Sequence, residues 1–216
     1  PFAYRLVVDD FNGDGLDDVF AGSMGLSVAQ REGWGIDPFP HFLLLSNSLG
    51  KFEESSVNIE DENNGLGQLC RFAHDASGGD PDGDGDVDLF ACNMLLVNDG
   101  AGNFTIHPHL NLDWHHKYAS PMSSLLEDLN NDGFDDILIG ASKADPNGTN
   151  SGESYVVFGK ESGFDDSLDL SSLDGSTGFV INGIDGGDRS GRSVSSAGDI
   201  NGDSFDDILI GAYRAD

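Results

Sequence analysis

The sequence predicts an all-β fold built from four-stranded antiparallel units, with about three to three and a half such units present. Three observations carry that expectation. Four acidic nine-residue windows recur along the chain, a short apolar run follows each window, and a strand, glycine turn, strand element recurs between windows. The windows are Asp10 to Asp18, Asp80 to Asp88, Asp128 to Asp136 and Asp199 to Asp207, and all four share the form D-x-[DN]-x-D-[GS]-x-x-D. Self-similarity at intervals of tens of residues is the mark of a repeat architecture, in which each unit buries its faces against the next.

The runs after the windows are Val19-Phe20-Ala21, Leu89-Phe90-Ala91, Ile137 to Ala141 and Ile208 to Ala212. They are continuously apolar and too short for helical periodicity, as expected of strands covered on both faces. Leu6-Val7-Val8, Ser123 to Leu126 and Val194 to Ala197 precede windows, so each acidic loop is expected to join two strands of an antiparallel hairpin. The second recurring element runs from Leu44-Leu45-Ser46-Asn47 to Gly50-Lys51-Phe52, from Leu95-Leu96-Val97-Asn98 to Gly102-Asn103-Phe104, and from Val156 to Gly159 and on to Gly163-Phe164. Each copy reads as strand, turn, strand. Spacings of 70, 48 and 71 residues between windows suit four-stranded β-propeller blades, with approximate units 1–65, 66–118, 119–187 and an incomplete 188–216.

Composition narrows the function. The 39 acidic residues against 10 Lys and Arg leave a net charge of −29, which excludes nucleic acid and anionic lipid as natural partners. Seventeen of the acids sit inside the four windows, so the charge is concentrated in loops rather than spread over a solvated surface or a disordered tail. No apolar run approaches the ~18 residues of a membrane span, so membrane insertion is not expected. The chain opens on Pro1 rather than an initiator Met, which reads as processing, trimming or a fragment. Two cysteines, Cys70 and Cys92, are too few for a disulfide framework. Whether they pair is left open by the sequence.

The windows carry the chemistry. Side chains at positions 1, 3 and 5 of a tight loop can converge on one point, with a carbonyl from position 7 and a carboxylate from position 9 completing an oxygen cage. The candidate ligands are Asp10, Asn12, Asp14, Leu16 (carbonyl) and Asp18 in the first loop. Asp80, Asp82, Asp84, Asp86 (carbonyl) and Asp88 form the second set. Asp128, Asn130, Asp132, Phe134 (carbonyl) and Asp136 form the third, and Asp199, Asn201, Asp203, Phe205 (carbonyl) and Asp207 the fourth. Hard oxygen donors in a flexible loop select Ca²⁺ over Zn²⁺, whereas Mg²⁺ demands a stricter octahedron. An EF-hand is excluded, because it needs a Glu at position 12 and flanking helices. Here position 12 is Ala21, Ala91, Ile139 or Ile210. Up to four structural Ca²⁺ ions are expected, which would lower the net charge from −29 to about −21 and couple cation binding to folding of the hairpins.

On these windows, on the following D-D-I-L-I-G-A segments and on Tyr155 to Gly159 between them, the chain resembles the FG-GAP repeats of the integrin α-subunit propeller. The first two units, with L-L-x-N and G-x-F, resemble the related VCBS repeat of bacterial surface and secreted proteins. The resemblance covers nearly the whole chain. It implies a seven-bladed propeller with Ca²⁺ in its hairpin loops, an extracellular or cell-surface location, and a role in adhesion or in recognising a protein or glycan ligand. Seven blades at this period need on the order of 440 residues. The chain is therefore expected to be part of a ring, completed by further blades of a parent chain or by self-association. Ser204, where the other loops carry Gly, is a departure that should loosen its turn.

Catalysis is not expected. The best candidate is the stretch His107, His109, His115 and His116, which could ligate a transition metal or supply a base, but only Asp113 accompanies it. The alternative function is a scaffold or accessory part of a secreted enzyme, such as a polysaccharide lyase or a phospholipase. Gly186 to Ser193 lacks the Lys of a phosphate loop and reads as an approach to an inner strand. Asp145 to Glu153 reads as an exposed hairpin loop, Asn103 and Asn147 open N-glycosylation sequons, and Trp34 and Trp114 read as packing aromatics.

Overall fold

The computed structural model describes residues 2–24, 41–60, 75–91, 94–107, 123–164 and 170–215. Within them lie three four-stranded antiparallel sheets and one two-stranded hairpin, so the all-β, blade-like organisation holds. The chain divides into two compact units, one formed by Pro1–Gly78 with Gly85–His107 and the other by Gly79–Asp84 with Pro108–Asp216.

In the first unit, β1 (Phe2–Asp9), β2 (Asp18–Met24), β3 (Phe42–Ser46) and β4 (Phe52–Glu54) form a meander in sequence order. A second meander follows in β5 (Ala76–Gly79), β6 (Asp88–Ala91), β7 (Met94–Asn98) and β8 (Phe104–Ile106). The two share one apolar core of Phe11, Phe20, Leu43, Ile59, Ala76, Leu89, Ala91, Leu96 and Phe104. Phe11 meets Phe104 edge to face, with ring centroids 5.6 Å apart. The segment leaving the first sheet is tied to the second, since Ile59 bridges Phe104 and the Glu60 N–H donates to the Phe104 carbonyl at 2.8 Å. His41 is fully buried and stacks on Phe20, and its burial pushes the imidazole down to about 4, so it stays neutral in the core.

In the second unit, β9 (Ser123–Glu127), β10 (Asp136–Ala141), β11 (Glu153–Val157) and β12 (Gly178–Asn182) form the third sheet, and β13 (Ser193–Ser196) pairs with β14 (Ile208–Gly211). Every residue of β10 is buried, as a central strand covered on both faces requires. Leu129, Leu138, Val156 and Val194 form the core between the third sheet and the hairpin, with Ile208 and Ile210 packed against it.

Three expectations are corrected. The strand after Val156 to Gly159 does not begin at Gly163-Phe164: Lys160 to Gly163 makes a turn and β12 begins at Gly178. Asp165, Asp166 and Asp169 break up the residues after Phe164, whereas Gly178-Phe179-Val180-Ile181-Asn182 carries an aromatic and two β-branched residues in a row, the better partner for β11. The second correction concerns register. Val19 pairs with Leu44 and Leu89 with Leu96, so Ser46, not Asn47, occupies the place of Asn98, and Asn47 matches Asp99. The two turns are equally long, since Ser46 pairs with Phe52 as Asn98 pairs with Phe104, and the asparagine simply stands one place later in the first sheet. Finally, Ile208 to Gly211 is not covered on both faces, because Leu209 is 65% exposed and β14 pairs with β13 alone among the described residues.

Candidate metal loops

All four acidic loops connect antiparallel strands, and they share one internal hydrogen-bond pattern. The N–H of position 5 is shared between the side-chain oxygens of positions 1 and 3. Asp14 donates to Asp10 and Asn12 at 3.1 and 3.0 Å, and Asp84 to Asp80 and Asp82 at 3.1 and 3.3 Å. Asp132 donates to Asp128 and Asn130 at 3.1 and 2.9 Å, and Asp203 to Asp199 and Asn201 at 3.0 and 2.9 Å. The position 1 and 3 oxygens are thereby gathered at one point in every copy. In the first, third and fourth loops the position 5 carboxylate folds back in turn to accept the N–H of position 7, from Leu16, Phe134 and Phe205.

This winding requires left-handed backbone at positions 4 and 6. Position 4 is Gly13, Gly83, Asn131 or Gly202 and position 6 is Gly15, Gly85, Gly133 or Ser204, all at positive φ. Asn tolerates that region, whereas Ser204 at φ 73° is strained by about 1–2 kcal/mol. Position 4 escaped the sequence consensus. Its restriction to Gly and Asn was the available signal.

Position 9 plays a role that spacing alone did not disclose. Its carboxylate staples the start of the loop in the first, third and fourth copies and reaches the neighbouring strand in the first three, through backbone N–H groups; in the second loop position 2 is Pro81, which has no N–H to donate. Asp18 is fully buried and accepts from Phe11 at 3.0 Å and from Ser46 at 2.6 Å. Asp136 accepts from Leu129 at 3.2 Å and from Gly159 at 3.0 Å, and Asp88 accepts from Asn98 at 2.7 Å. Asp207 accepts from Ile200 at 2.8 Å and from Asn201 at 3.3 Å. Each carboxylate oxygen has two lone-pair sites, so this role leaves acceptor capacity.

The electrostatics follow from burial and donor count. Burial pushes the Asp136 carboxyl up to about 7, and the charges of Asp132 and Asp128 add to the rise against the donations from Gly159 and Leu129. Asp199 is exposed and moves down instead, held by the N–H groups of Ser204, Gly202 and Asp203. Burial also raises Glu127, beside the charges of Asp206 and Asp135.

The donor set fits a hard cation. In the second loop, carboxylate oxygens of Asp80, Asp82 and Asp84 lie within 4.8 Å of one another. Ligands at the ~2.4 Å typical of Ca²⁺ stand at most about 4.8 Å apart across the ion. In the other three loops Asn replaces Asp at position 3, keeping the oxygen and removing one charge. Asp86 and Asp88 belong to the first unit, where the Asp86 carboxylate lies against the backbone at Gly100 and leaves no room there for a side chain.

Other sequence candidates are placed as follows. His107 ends the second sheet's outer edge, its N–H donating to Leu95. His109, His115, His116, Cys70, Cys92, Trp34 and Trp114 lie outside the described residues. Both sequon amides are engaged, Asn103 with Asp99 and Asn147 with the Gly183 carbonyl. Asp145 to Glu153 does connect β10 to β11, but Ser151 within it is fully buried.

Comparison with known proteins adds a match over part of the chain. The FG-GAP repeat model matches residues 120–157 and 190–216. No curated protein matches the chain. Among solved structures, a lectin of Agrocybe aegerita that recognises non-reducing terminal N-acetylglucosamine is similar at 16% identity and a TM-score of 0.38, over 82% of this chain. The chain spans 42% of that lectin.

Proposed function

From a chain that carries FG-GAP repeats at residues 120–157 and 190–216, we propose a calcium-stabilised, non-catalytic propeller module that recognises a protein or glycan ligand outside the cell. The observation that carries the cation part is the clustering of Asp80, Asp82 and Asp84 carboxylates within 4.8 Å, in a loop whose winding recurs three more times. A bound divalent cation supplies the charge that lets such carboxylates stay close. Side chains at positions 1, 3 and 5 would hold it, while the position 9 carboxylate keeps the loop docked on its sheet. The loops act as braces: oxygen donors surround the centre and leave the chemistry of the module to its surface. FG-GAP repeats in other proteins support the extracellular location and the recognition role. Among the described residues no helix is long and apolar enough to cross a membrane.

The cation reading is tested by melting the protein after exhaustive chelation and again with Ca²⁺ or Mg²⁺ restored. Saturation at a hundred times Kd stabilises by about 2.7 kcal/mol per site. Ca²⁺ should therefore raise Tm by several degrees more than Mg²⁺, and Asp82→Ala should remove part of the rise. Equal melting in all three conditions defeats the reading. Recognition is tested separately, by screening the Ca²⁺-loaded chain on glycan and extracellular-protein arrays.

A further inference from the structure

Asparagine followed by glycine is chemically weak, because the amide is thermolabile and glycine, with no Cβ, leaves the next backbone nitrogen unshielded. The described residues hold four such steps, Asn12-Gly13, Asn147-Gly148, Asn182-Gly183 and Asn201-Gly202, while Asn64-Gly65 lies outside them. The fold makes the four unequal. Loss of ammonia needs the asparagine side chain folded back over the next peptide, a following nitrogen free to give up its proton, and an amide nitrogen free to leave.

At Asn12 all three coincide. Its Oδ1 accepts the Asp14 N–H at 3.0 Å, which turns the side chain back over the peptide to Gly13. That N–H also points at the oxygen on which charge develops during attack, as an oxyanion donor does. Gly13 is exposed, and neither its N–H nor the Asn12 amide meets an acceptor among the described residues.

Every other step is guarded. Asn201 has the same turn, its Oδ1 accepting the Asp203 N–H at 2.9 Å, but the Gly202 N–H donates to Asp199 Oδ1 at 2.6 Å and the Asn201 amide to Asp207 at 3.3 Å. A carboxylate acceptor keeps the proton on the Gly202 nitrogen. At Asn182 the Gly183 N–H donates to the Gly152 carbonyl at 2.7 Å. The Asn147 amide donates to the Gly183 carbonyl at 2.7 Å, which holds that side chain off its own following peptide. In the third loop Asn130 is turned back as Asn12 is, but the next residue is Asn131, whose Cβ shields the nitrogen. The contacts that separate Asn12 from Asn201 all lie within their own nine-residue loops, so they do not depend on what packs beyond the sheets.

We propose that Asn12 is a site of spontaneous deamidation. The Gly13 nitrogen gives its proton to solvent and bonds to Asn12 Cγ, the Cγ–Nδ2 bond breaks, and Nδ2 takes a proton from water and leaves as ammonia. Water then opens the five-membered succinimide at one of its two carbonyls, giving aspartate or isoaspartate at position 12. Nothing is oxidised or reduced. The aspartate product puts carboxylates at positions 1, 3 and 5 of the first loop, the set that clusters within 4.8 Å in the second. The isoaspartate product lengthens the backbone by one carbon and breaks the winding. What the new carboxylate does for a cation rests on the cation reading; the modification does not, because position 3 has the same role in the first and fourth loops and a bound ion acts on both alike.

The test is peptide mapping by mass spectrometry on the folded chain held in mildly alkaline buffer, following the gain of one dalton and the ratio of aspartate to isoaspartate at all four steps. Asn12 should convert at least about tenfold faster than Asn201, the factor that one hydrogen bond to a charged acceptor supplies. Exposure alone gives the opposite order, since Asn12 is half-buried and Asn201 exposed. In concentrated urea the ranking should disappear, because unfolding removes every contact that distinguishes the four. An Asn12 that converts no faster than the other three in the folded chain, or a ranking that survives in urea, overturns the inference.

Discussion

The third and fourth acidic loops have the same winding and opposite surroundings. Asp128 and Asp199 accept the same N–H groups at positions 5 and 6, and Asp132 and Asp203 each accept from position 7 at 3.0 Å. Yet Leu129 and Asp136 are buried beneath the hairpin, while Ile200 is exposed and Asp207 is half-buried. The comparison separates two causes. The loop conformation comes from nine local residues, whereas the burial, the charge state and the energetic weight of the same residues come from the neighbouring sheet.

The largest way to break this distinction is a matched pair of truncations. Leu138→Ala should destabilise by about 2–5 kcal/mol through a lost apolar contact and a cavity. Its counterpart Leu209→Ala should cost less than about 0.5 kcal/mol in dilute, monomeric protein, and denaturant unfolding of both variants measures the contrast. Equal losses would mean that β14 is covered in solution.

The position 9 staples should differ in the same direction. Asp136→Ala leaves the Leu129 and Gly159 N–H groups without their acceptor in a buried site, which should cost about 2–4 kcal/mol. Asp207→Ala exposes its donors to water and should cost about 1 kcal/mol.

A pH titration in cation-free buffer sharpens the comparison further. The Asp136 carboxyl rises from 3.8 to about 7 on folding, so the folded chain binds more protons than the unfolded chain between those values. The stability linked to this group is fully present below about pH 3.8 and is lost as pH rises toward 7, by at most about 1.4 kcal/mol per pH unit. Asp136→Asn should flatten that slope. Stability measured across pH 4 to 7 for the parent and the variant decides it.

The smallest effect lies at the strained turn. Ser204→Gly relieves a left-handed serine but adds freedom to the unfolded chain, for a net gain of about 0.5 kcal/mol. A gain above about 2 kcal/mol would mean that the fourth loop is not locally equivalent to the others.

Much of this was legible in the residues. The acidic windows, the hairpins they close and the apolar strands after them follow from local patterns. Their restriction to Gly, Asn or Ser at positions 4 and 6 follows from steric rules that act within a few residues. The β12 strand was misplaced because Gly163-Phe164 resembles the G-x-F of the earlier turns with one residue fewer, and only pairing with β11 shows that Gly178 to Asn182 is the strand. Asn98 was matched to Asn47 for a similar reason, since composition repeats where register does not. The position 9 staple was hidden because its donors, Ser46, Asn98 and Gly159, have unlike side chains and contribute only backbone N–H groups.

By itself the sequence determined the loops, their charge and their oxygen donors, because a nine-residue turn is governed by short-range sterics and hydrogen bonds. The tertiary structure alone decided which of these near-identical repeats are buried. Burial depends on what packs against a face, and nothing within Ile200 or Leu209 distinguishes them from Leu129 and Leu138 until a neighbouring sheet is present or absent.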